Sequence, residues 1–372
     1  MVRLVLLLAL SLDSFEPNAP LLSPPGGERE ERAIWRVFGS AGYESQLTPA
    51  NEDSPLNRDN ALAIAYSTSL ADVNVFTEVS TGDRKLKARI KLRGDASDRA
   101  RDEIELGEGF VQLQATAWLD LTAGRVIEKW GTGYGWSPTA FVGPAKSPTD
   151  PNDRRSAYQG TDMIRADLFA RETNLSLYTL EDGAFAARVY RMIGQTDLSV
   201  YAHRDEHAKL RAGASLSRVF GDALELHADI THSSDGTRAL AGGQYTFAND
   251  VNFVLEVYHQ DDGLSSDEWN AFRALADDPH SAQLANETYA PLRMGKDYAF
   301  VRLARPFARR KAEAEIIAIA NLRDGSSVTR LALTYKIRPN LSAYLIETEF
   351  FGGADGELAY LQVARVTTAG VR

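Results

Sequence analysis

The chain of 372 residues contains no cysteine. This absence excludes disulfide frameworks, thiolate metal sites and cysteine nucleophiles. A chain without thiols also suits export through an oxidising compartment, because no free thiol has to be protected there. Any chemistry must therefore come from carboxylates, hydroxyls, imidazoles and cationic side chains.

Long hydrophobic runs are nearly absent too, and the only one covers residues 4–12, directly after Met1-Val2-Arg3. A helix needs about 20 apolar residues to cross a bilayer, so no membrane-spanning helix is predicted. One basic residue before a short apolar segment is typical of a secretory signal peptide, which we expect over residues 1–20. A misassigned start or an apolar tail is the alternative.

Positive charge is in deficit, with 41 Lys and Arg residues against 51 Asp and Glu residues and a formal net charge of −10. Nucleic-acid binding needs a basic face, so nucleic acid is excluded as an expected partner.

Alternation of apolar and polar residues with a period of two is abundant between about residue 61 and residue 367. Residues 109–120 show it clearly, with Val111, Leu113, Ala115, Ala117 and Leu119 on one face and Gln112, Gln114, Thr116, Trp118 and Asp120 on the other. Successive side chains of a strand point to opposite faces, so the pattern predicts strands with one apolar and one hydrated side. Many such strands in series indicate a barrel with lipid outside and water inside.

Strands are predicted near residues 61–68, 72–80, 84–93, 109–120, 124–131, 161–171, 174–181, 184–193, 196–203, 208–218, 223–232, 237–247, 251–260, 294–305, 312–321, 328–336, 341–351 and 357–367. The predicted fold is all-β: one transmembrane antiparallel up-and-down β-barrel of about 18 strands (16–18) over residues 61–372. Residues 21–60 are expected to be a flexible leader or N-terminal segment, in which residues 34–43 form either a strand or an inward-folded segment. This fold predicts a Gram-negative outer-membrane protein whose partners include membrane lipid and the barrel-assembly machinery.

The connections support this topology because short and long ones alternate. Short turns at residues 172–173, 220–222, 248–250 and 338–340 fall on one side of the predicted barrel, and long loops at 94–108, 132–160 and 261–293 fall on the other. Outer-membrane barrels have short periplasmic turns and longer external loops. A short helix is also expected in the loop after residue 261, where Ser266, Asp267 and Glu268 can cap a stripe that includes Trp269 and Phe272.

Basic residues on the hydrated faces are candidates for a charged lumen. Lys85, Lys87, Arg89, Lys91 and Arg93 form a ladder on one strand, and the other candidate pore-lining residues are Arg125, Arg165, Arg188, Arg211, Arg330 and Lys336. Lipid-facing Lys or Arg costs about 2–4 kcal/mol each near the midplane, so the ladder must face water. Rings of such charge bias ion passage towards anions such as uronate polymers. Neutralisation by Asp72, Glu78 or Asp120 is the alternative.

Residues 124–138, followed by Pro148-Thr149-Asp150-Pro151-Asn152-Asp153, carry a second signal. This stretch resembles the Gly-Arg…Trp-Gly…Pro…Asp-Pro segment of several proteobacterial outer-membrane β-barrel groups. Characterised relatives of that type are porin-like channels and polysaccharide export or assembly barrels. Trp130, Tyr134 and Trp136 are interpreted as an aromatic girdle or loop, since amphipathic rings prefer the membrane interface.

His232-Ser233-Ser234-Asp235-Gly236 is the one candidate catalytic segment. It looks like the His-x-Ser-Asn-Gly segment of outer-membrane phospholipase and lipid A deacylase barrels, which implies His232 as the base and Ser234 as the nucleophile. Those enzymes carry an Asn or Glu where this chain has Thr246. Ser-Ser-Asp-Gly is also an ordinary hairpin turn, and we expect that role instead.

No metal or cofactor is predicted. Asp150, Asn152 and Asp153 resemble half of a calcium loop without its Gly and distal Glu, and the remaining histidines lack the paired spacing of a zinc site. We therefore expect a channel that passes or exports a hydrophilic small solute or polysaccharide, with an anionic solute as one option. A lipid hydrolase using His232 and Ser234, and a structural or ligand-binding barrel with a plugged lumen, are the alternatives.

Overall fold

The computed structural model describes residues 33–81, 86–97, 103–144, 146–149 and 159–372. The expected signal peptide over residues 1–20 lies outside the described residues. The described chain forms one sheet of eighteen strands. These are β1 (Ile34–Leu47), β2 (Ser67–Ser80), β3 (Leu86–Ser97), β4 (Glu103–Thr116), β5 (Leu119–Val126), β6 (Thr161–Ala170), β7 (Thr173–Leu180), β8 (Phe185–Ile193), β9 (Thr196–Arg204), β10 (Leu210–Phe220), β11 (Leu224–Ser233), β12 (Gly236–Thr246), β13 (Asn252–Gln260), β14 (Asp297–Phe307), β15 (Ala312–Asn321), β16 (Ser327–Arg338), β17 (Leu341–Phe351) and β18 (Arg365–Val371).

Each strand pairs antiparallel with the next, and β1 also pairs antiparallel with β18. That last pairing sets Tyr43 opposite Val371 and Leu47 opposite Thr367, so the sheet is closed, while residues 34–42 of β1 pair with β2 alone. The predicted all-β barrel of about 18 strands is confirmed. Closure matters in lipid because no water is present there to satisfy the backbone groups of an exposed strand.

The two ends of the barrel differ in their connections. The short turns after β6, β10, β12 and β16 all lie at one end, called here the turn end, where β1 begins and β18 ends. The long connections 48–66, 127–160, 261–296 and 352–364 lie at the opposite end, called the loop end. The described parts of 132–160 and 261–293 therefore fall at the end expected from the sequence. Residues 98–102 of the predicted 94–108 loop lie outside the described residues, and β3 and β4 extend into the rest of that range.

The strand boundaries differ from the sequence expectation at both ends of the chain. Residues 61–66 are not a strand, and the strands expected at 61–68 and 72–80 are replaced by the single strand β2 from Ser67 to Ser80. The count of eighteen is restored by β1, which lies in the segment expected to be a leader. The barrel thus begins at Ile34 rather than at residue 61. At the other end, residues 357–360 form a short 3-10 turn and the last strand starts only at Arg365.

Large apolar side chains face outward along the strands and remain exposed, among them Ile90, Val111, Leu121, Val200, Leu216, Leu226, Val257, Ile316, Leu331 and Leu345. On β17 the outward residues are Leu341, Ala343 and Leu345. Tyr344 and Ile346 face inward, because their cross-strand partners on β16 face inward. An apolar exterior with polar groups inside is the reverse of a soluble sheet and matches a barrel solvated by lipid.

Polar side chains are buried inside the barrel, and these include Glu78, Glu108, Asp167, Ser176, Asp229, Glu256 and Glu315. They are covered by neighbouring side chains and by loops that fold inward, so their buried polar groups need partners within the protein.

Two helices lie in the connection between β13 and β14: α1 (Ser266–Asp277) and α2 (Ala282–Thr288). The N-cap of α1 is Ser265, one residue before the expected Ser266, and Glu268 completes a capping box with it. None of the helices in the described residues has the length and apolarity to span a bilayer.

Residues 48–66, 261–296 and 352–364 pack together as a cap over the loop end. Phe272 of α1 contacts Trp269, Tyr289 and Tyr360 with ring centroids 5.2, 6.0 and 5.5 Å apart. The cap shares one apolar core with inward side chains of β13 to β16, namely Val254, Tyr258, Tyr298, Phe300, Ile317, Ile319 and Val328. This side of the lumen is therefore filled.

Glu357 is the polar centre of the cap and is 1 % exposed. Its carboxylate accepts hydrogen bonds from the Tyr298 hydroxyl at 2.9 Å, the Asn321 amide at 2.7 Å and the Met294 backbone N–H at 3.1 Å. Burial raises the pKa of Glu357, and these donors oppose that shift. Glu357 thereby joins the cap to β14 and β15.

The assignment of outward and inward faces can be tested by placing a lysine at two adjacent positions of β10 that face opposite sides. Leu216 faces outward on β10, and its neighbour Ser217 faces inward and donates to Glu225 at 2.7 Å. Leu216→Lys should lower the free energy of unfolding in liposomes by about 2–4 kcal/mol. Ser217→Lys should change it little, because Glu225 can pair with the new charge. Urea titration followed by tryptophan fluorescence measures both, and equal effects would contradict the assignment of faces.

Candidate solute pathway

The connection between β5 and β6, residues 127–160, turns into the barrel and is called the inserted loop. Its described part reaches the opposite wall, where Trp136 stacks on Tyr258 with ring centroids 5.0 Å apart. Nearer its start, Trp130 stacks on Tyr201 at 4.8 Å and meets the edge of Tyr178 at 5.3 Å. The loop thus crosses the lumen from β7 and β9 to β13.

This position corrects the interpretation of Trp130, Tyr134 and Trp136 as an aromatic girdle. Trp130 and Trp136 are only 3 % and 6 % exposed, and both pack inside the barrel. Tyr134 lies inside as well, with its ring 5.8 Å from that of Phe300 and the Arg302 guanidinium 5.0 Å from its centre. An amphipathic ring fits a lumen with hydrogen-bond partners as well as it fits a membrane interface, so the sequence did not separate the two.

Two buried carboxylates hold the inserted loop to the wall. Asp229 on β11 accepts from the Thr132 backbone N–H at 3.0 Å, from the Thr132 hydroxyl at 2.8 Å and from the Gly133 N–H at 3.3 Å. Glu256 on β13 accepts from the Gly135 N–H at 2.8 Å and also from the Tyr134 N–H. Hydrogen bonds to ionised groups are stronger than neutral ones, so these contacts fix the loop firmly.

The sequence of the loop explains why it can bind in this way. Gly131 has a φ of +89°, and a Cβ there would lie 2.2 Å from the Ser137 Oγ. Alternating glycines thus let the backbone approach the wall and present its N–H groups. The sequence analysis did not identify Asp229 and Glu256 as residues that bind the loop. The signals present in the sequence were the glycine-rich stretch of the loop and single carboxylates at inward-facing strand positions.

A third charged group completes this anchor. Lys146 donates to the Gly133 carbonyl and lies near Asp229 and Glu256. Burial lowers the pKa of Lys146, and the two carboxylates oppose that shift. His227 also contacts Glu256, with its Nε2 2.8 Å from the carboxylate. The loop is therefore held by a buried network of opposite charges rather than by apolar packing alone.

Removing the two carboxylates should free the loop. Asp229→Asn with Glu256→Gln loses the charge-assisted bonds to Thr132–Gly135, and we expect noisier single-channel current with a larger mean conductance. Glu225→Gln on β11, which does not bond the loop, is the matched control. Planar-bilayer recording measures all three proteins, and an unchanged conductance in the double variant would show that the anchor does not restrain the loop.

The wall formed by β2 to β4 carries the centre of the predicted basic ladder. Arg89 donates to Glu78 at 2.7 Å and lies 3.5 Å from Glu108, and its guanidinium lies 5.0 Å and 5.5 Å from the ring centres of Phe76 and Phe110. Lys87 pairs with the same Glu78 at 3.2 Å. Two of the ladder's cations are therefore paired with inward acids, as the alternative interpretation anticipated.

Lys91 is the third described member of the ladder and faces the inserted loop. The charge of Lys129, an exposed residue of that loop, is close enough to repel the charge of Lys91, and Glu108 attracts Lys91. Lys129 was not identified from the sequence, because nothing local indicated that its loop turns inward. Lys85 and the side chain of Arg93 lie outside the described residues.

The remaining basic candidates divide by face. Arg165, Arg188, Arg211, Arg330 and Lys336 lie on inward faces. Arg165 pairs with Glu128 at 2.7 Å and Arg330 pairs with Glu315 at 2.9 Å. Arg125 is a correction, because it lies on the outward face opposite Asp162, with which it forms an ion pair. An outward charge is tolerated there since β5 ends at the next residue and the charge is paired.

The candidate catalytic pair is not assembled. His232 faces outward and its Nδ1 lies 3.1 Å from the Thr237 hydroxyl, while the Ser234 hydroxyl donates to Asp235 at 3.4 Å. These partners belong to the hairpin between β11 and β12, and the geometry fits the turn rather than a base and nucleophile.

Metal ligation finds no support in the part of the chain that the structure describes, where no cluster of His, Asp and Glu has the arrangement of a metal site. The half calcium loop at Asp150, Asn152 and Asp153 lies outside the described residues.

Inward side chains of β1 and β17 are less covered than those of β13 to β16. Phe38 of β1 lies opposite Phe76 of β2 with stacked rings 4.2 Å apart, and its side chain faces inward yet is 59 % exposed. Inward residues of β17, including Tyr344 and Ile346, are also only partly buried.

No family model matches this sequence, and no curated protein matches it either. Solved structures do resemble it. The chain is similar to Pseudomonas aeruginosa OccK11 (OpdR), with a TM-score of 0.56, 10% identity and coverage of 91% of this chain and 94% of that one. It is also similar to Acinetobacter baumannii OccAB1, with a TM-score of 0.54, 10% identity and coverage of 91% of this chain and 95% of that one. A triple mutant of the Rhodopseudomonas blastica porin has a TM-score of 0.50 and 13% identity, with coverage of 91% of this chain and 99% of that one. The chain has a porin-like fold.

Proposed function

We propose that this protein is an outer-membrane channel of a Gram-negative bacterium that passes a hydrophilic solute through its lumen. The single observation that carries the proposal is a closed barrel with an apolar exterior and a charged interior. The similarity to the Rhodopseudomonas blastica porin supports it at the level of fold. The loop end then faces the outside of the cell and the turn end faces the periplasm.

In this proposal the solute passes between the inserted loop and the wall that carries Lys91, and Lys129 of the loop is close enough to repel the charge of Lys91. Glu78 and Glu108 compensate much of the charge of Lys87 and Arg89, and Glu108 also attracts Lys91, so in this proposal Lys129 of the inserted loop adds positive charge beside that wall. Fixed charges at a constriction select ions by sign. We propose a modest preference for anionic solutes, small or polymeric, that move passively and without a covalent step.

A barrel with a plugged lumen is the second candidate, and one observation favours it. The cap and the inserted loop fill the side of the lumen along β11 to β16 with an apolar core and buried carboxylates. Planar-bilayer recording separates the two candidates, since an open channel gives discrete conductance steps and a plugged barrel gives none.

Charge selectivity is tested by reversal potentials in asymmetric KCl. The wild type should prefer chloride, and the double variant Lys91→Gln with Lys129→Gln should lose that preference because the field at the constriction falls. Lys209→Gln, which removes a cation from the exposed hairpin between β9 and β10, is the control and should behave as the wild type. Cation preference in the wild type would rule out the anion-selective version while leaving the channel intact.

A further inference from the structure

A cavity of about 600 Å³ lies along the wall formed by β4 to β8, beside the start of the inserted loop. Arg171 and Glu172 of the turn between β6 and β7 line it, with Thr173 at the start of β7, so it opens towards the turn end. It is lined as well by Glu128 of the inserted loop. The cavity thus adjoins β4, the strand that also borders the wall carrying Lys91.

The charges at the centre of the cavity satisfy one another. Arg165 donates from Nε to Asp167 at 2.8 Å and from Nη1 to Glu128 at 2.7 Å. Asp167 also accepts from the Ser176 hydroxyl at 2.6 Å. These groups have little capacity left for a ligand.

Two groups at the flanks of the cavity are different. Arg188 approaches an acid only at 3.9 Å, to the Glu128 carboxylate, and its Nε has no hydrogen-bond partner among the described residues. The Oδ2 atom of Asp120 accepts a hydrogen bond from the Gln112 side chain at 3.2 Å. The Oδ1 atom of Asp120 has no hydrogen-bond partner within the described part of the chain. A buried polar atom without a partner is destabilising, so a ligand that satisfied these groups would be favoured.

The register of the sheet fixes how far apart these groups are. Asp120, Asp167, Ser176 and Arg188 are direct cross-strand partners in one row. Asp120 and Arg188 are therefore three strand spacings apart, about 14 Å between Cα atoms, and their side chains both project into the cavity. Phe169, Tyr190 and Met192 give the cavity an apolar lining beside Arg188.

We propose that this cavity binds a small zwitterion whose carboxylate meets Arg188 and whose ammonium group, several ångströms away, meets Asp120. A short apolar chain between the two charges fits against Phe169 and Tyr190. The proposal deepens the proposed channel function, because it names a solute class that the lumen would hold on its way through. Binding at the cavity and conduction through the barrel are measured separately.

The test uses three probes of one chain length: 5-aminopentanoate, pentanoate and pentylamine. Calorimetric titration into the purified protein in detergent should show 5-aminopentanoate binding at least tenfold more tightly than either singly charged probe. Asp120→Asn should remove the advantage over pentanoate, and Arg188→Gln should remove the advantage over pentylamine. Lys209→Gln, remote from the cavity, should leave all three affinities unchanged.

Equal affinity for pentanoate and 5-aminopentanoate would overturn the zwitterion site and show an anion site instead. No binding of any probe to a protein that still gives conductance steps would overturn the site and leave the channel standing. Absence of conductance with retained 5-aminopentanoate binding would overturn the channel and leave the site. Native mobility on unheated gels confirms that each variant has folded.

Discussion

The pairing of β1 with both β2 and β18 is the constraint on which the rest of the structure depends. Without it two strand edges would face lipid with unpaired N–H and C=O groups, which hydrocarbon cannot solvate. Closure also places the inward face of every strand around one enclosed lumen, so the polar half of the alternating pattern lines a single space. The sites inside the barrel exist only because this ring is complete.

Inside the ring, opposite charges hold elements together as apolar packing does in a soluble core. Asp229, Glu256 and Lys146 anchor the inserted loop, and Glu357 anchors the cap. Each carboxylate accepts several donors, which compensates for its removal from water. The result is an asymmetric interior, filled by an apolar core along β13 to β16 and less covered along β1 and β17.

Local pattern predicted the fold well and the lumen poorly. Alternation predicted eighteen strands, but the total was right partly because a strand expected at residues 61–68 was replaced by Ile34–Leu47. In residues 34–47 small, polar and apolar residues mix, so the period of two is weak. The aromatic residues of the inserted loop were placed at the membrane because a ring with a polar atom suits both environments. Arg125 was placed inside because charge alone does not distinguish a lumen from a paired position at the barrel rim.

The sequence by itself determined the all-β class, the facing of most strands and the grouping of long loops at one end, since these follow from alternation and turn residues a few positions apart. Only the tertiary structure decided that the loop after β5 turns inward, that Lys129 is close enough to Lys91 to repel its charge, and that Asp120 and Arg188 border one cavity. Those relations join residues on different strands and loops. They depend on ring closure and strand register, which no local pattern encodes.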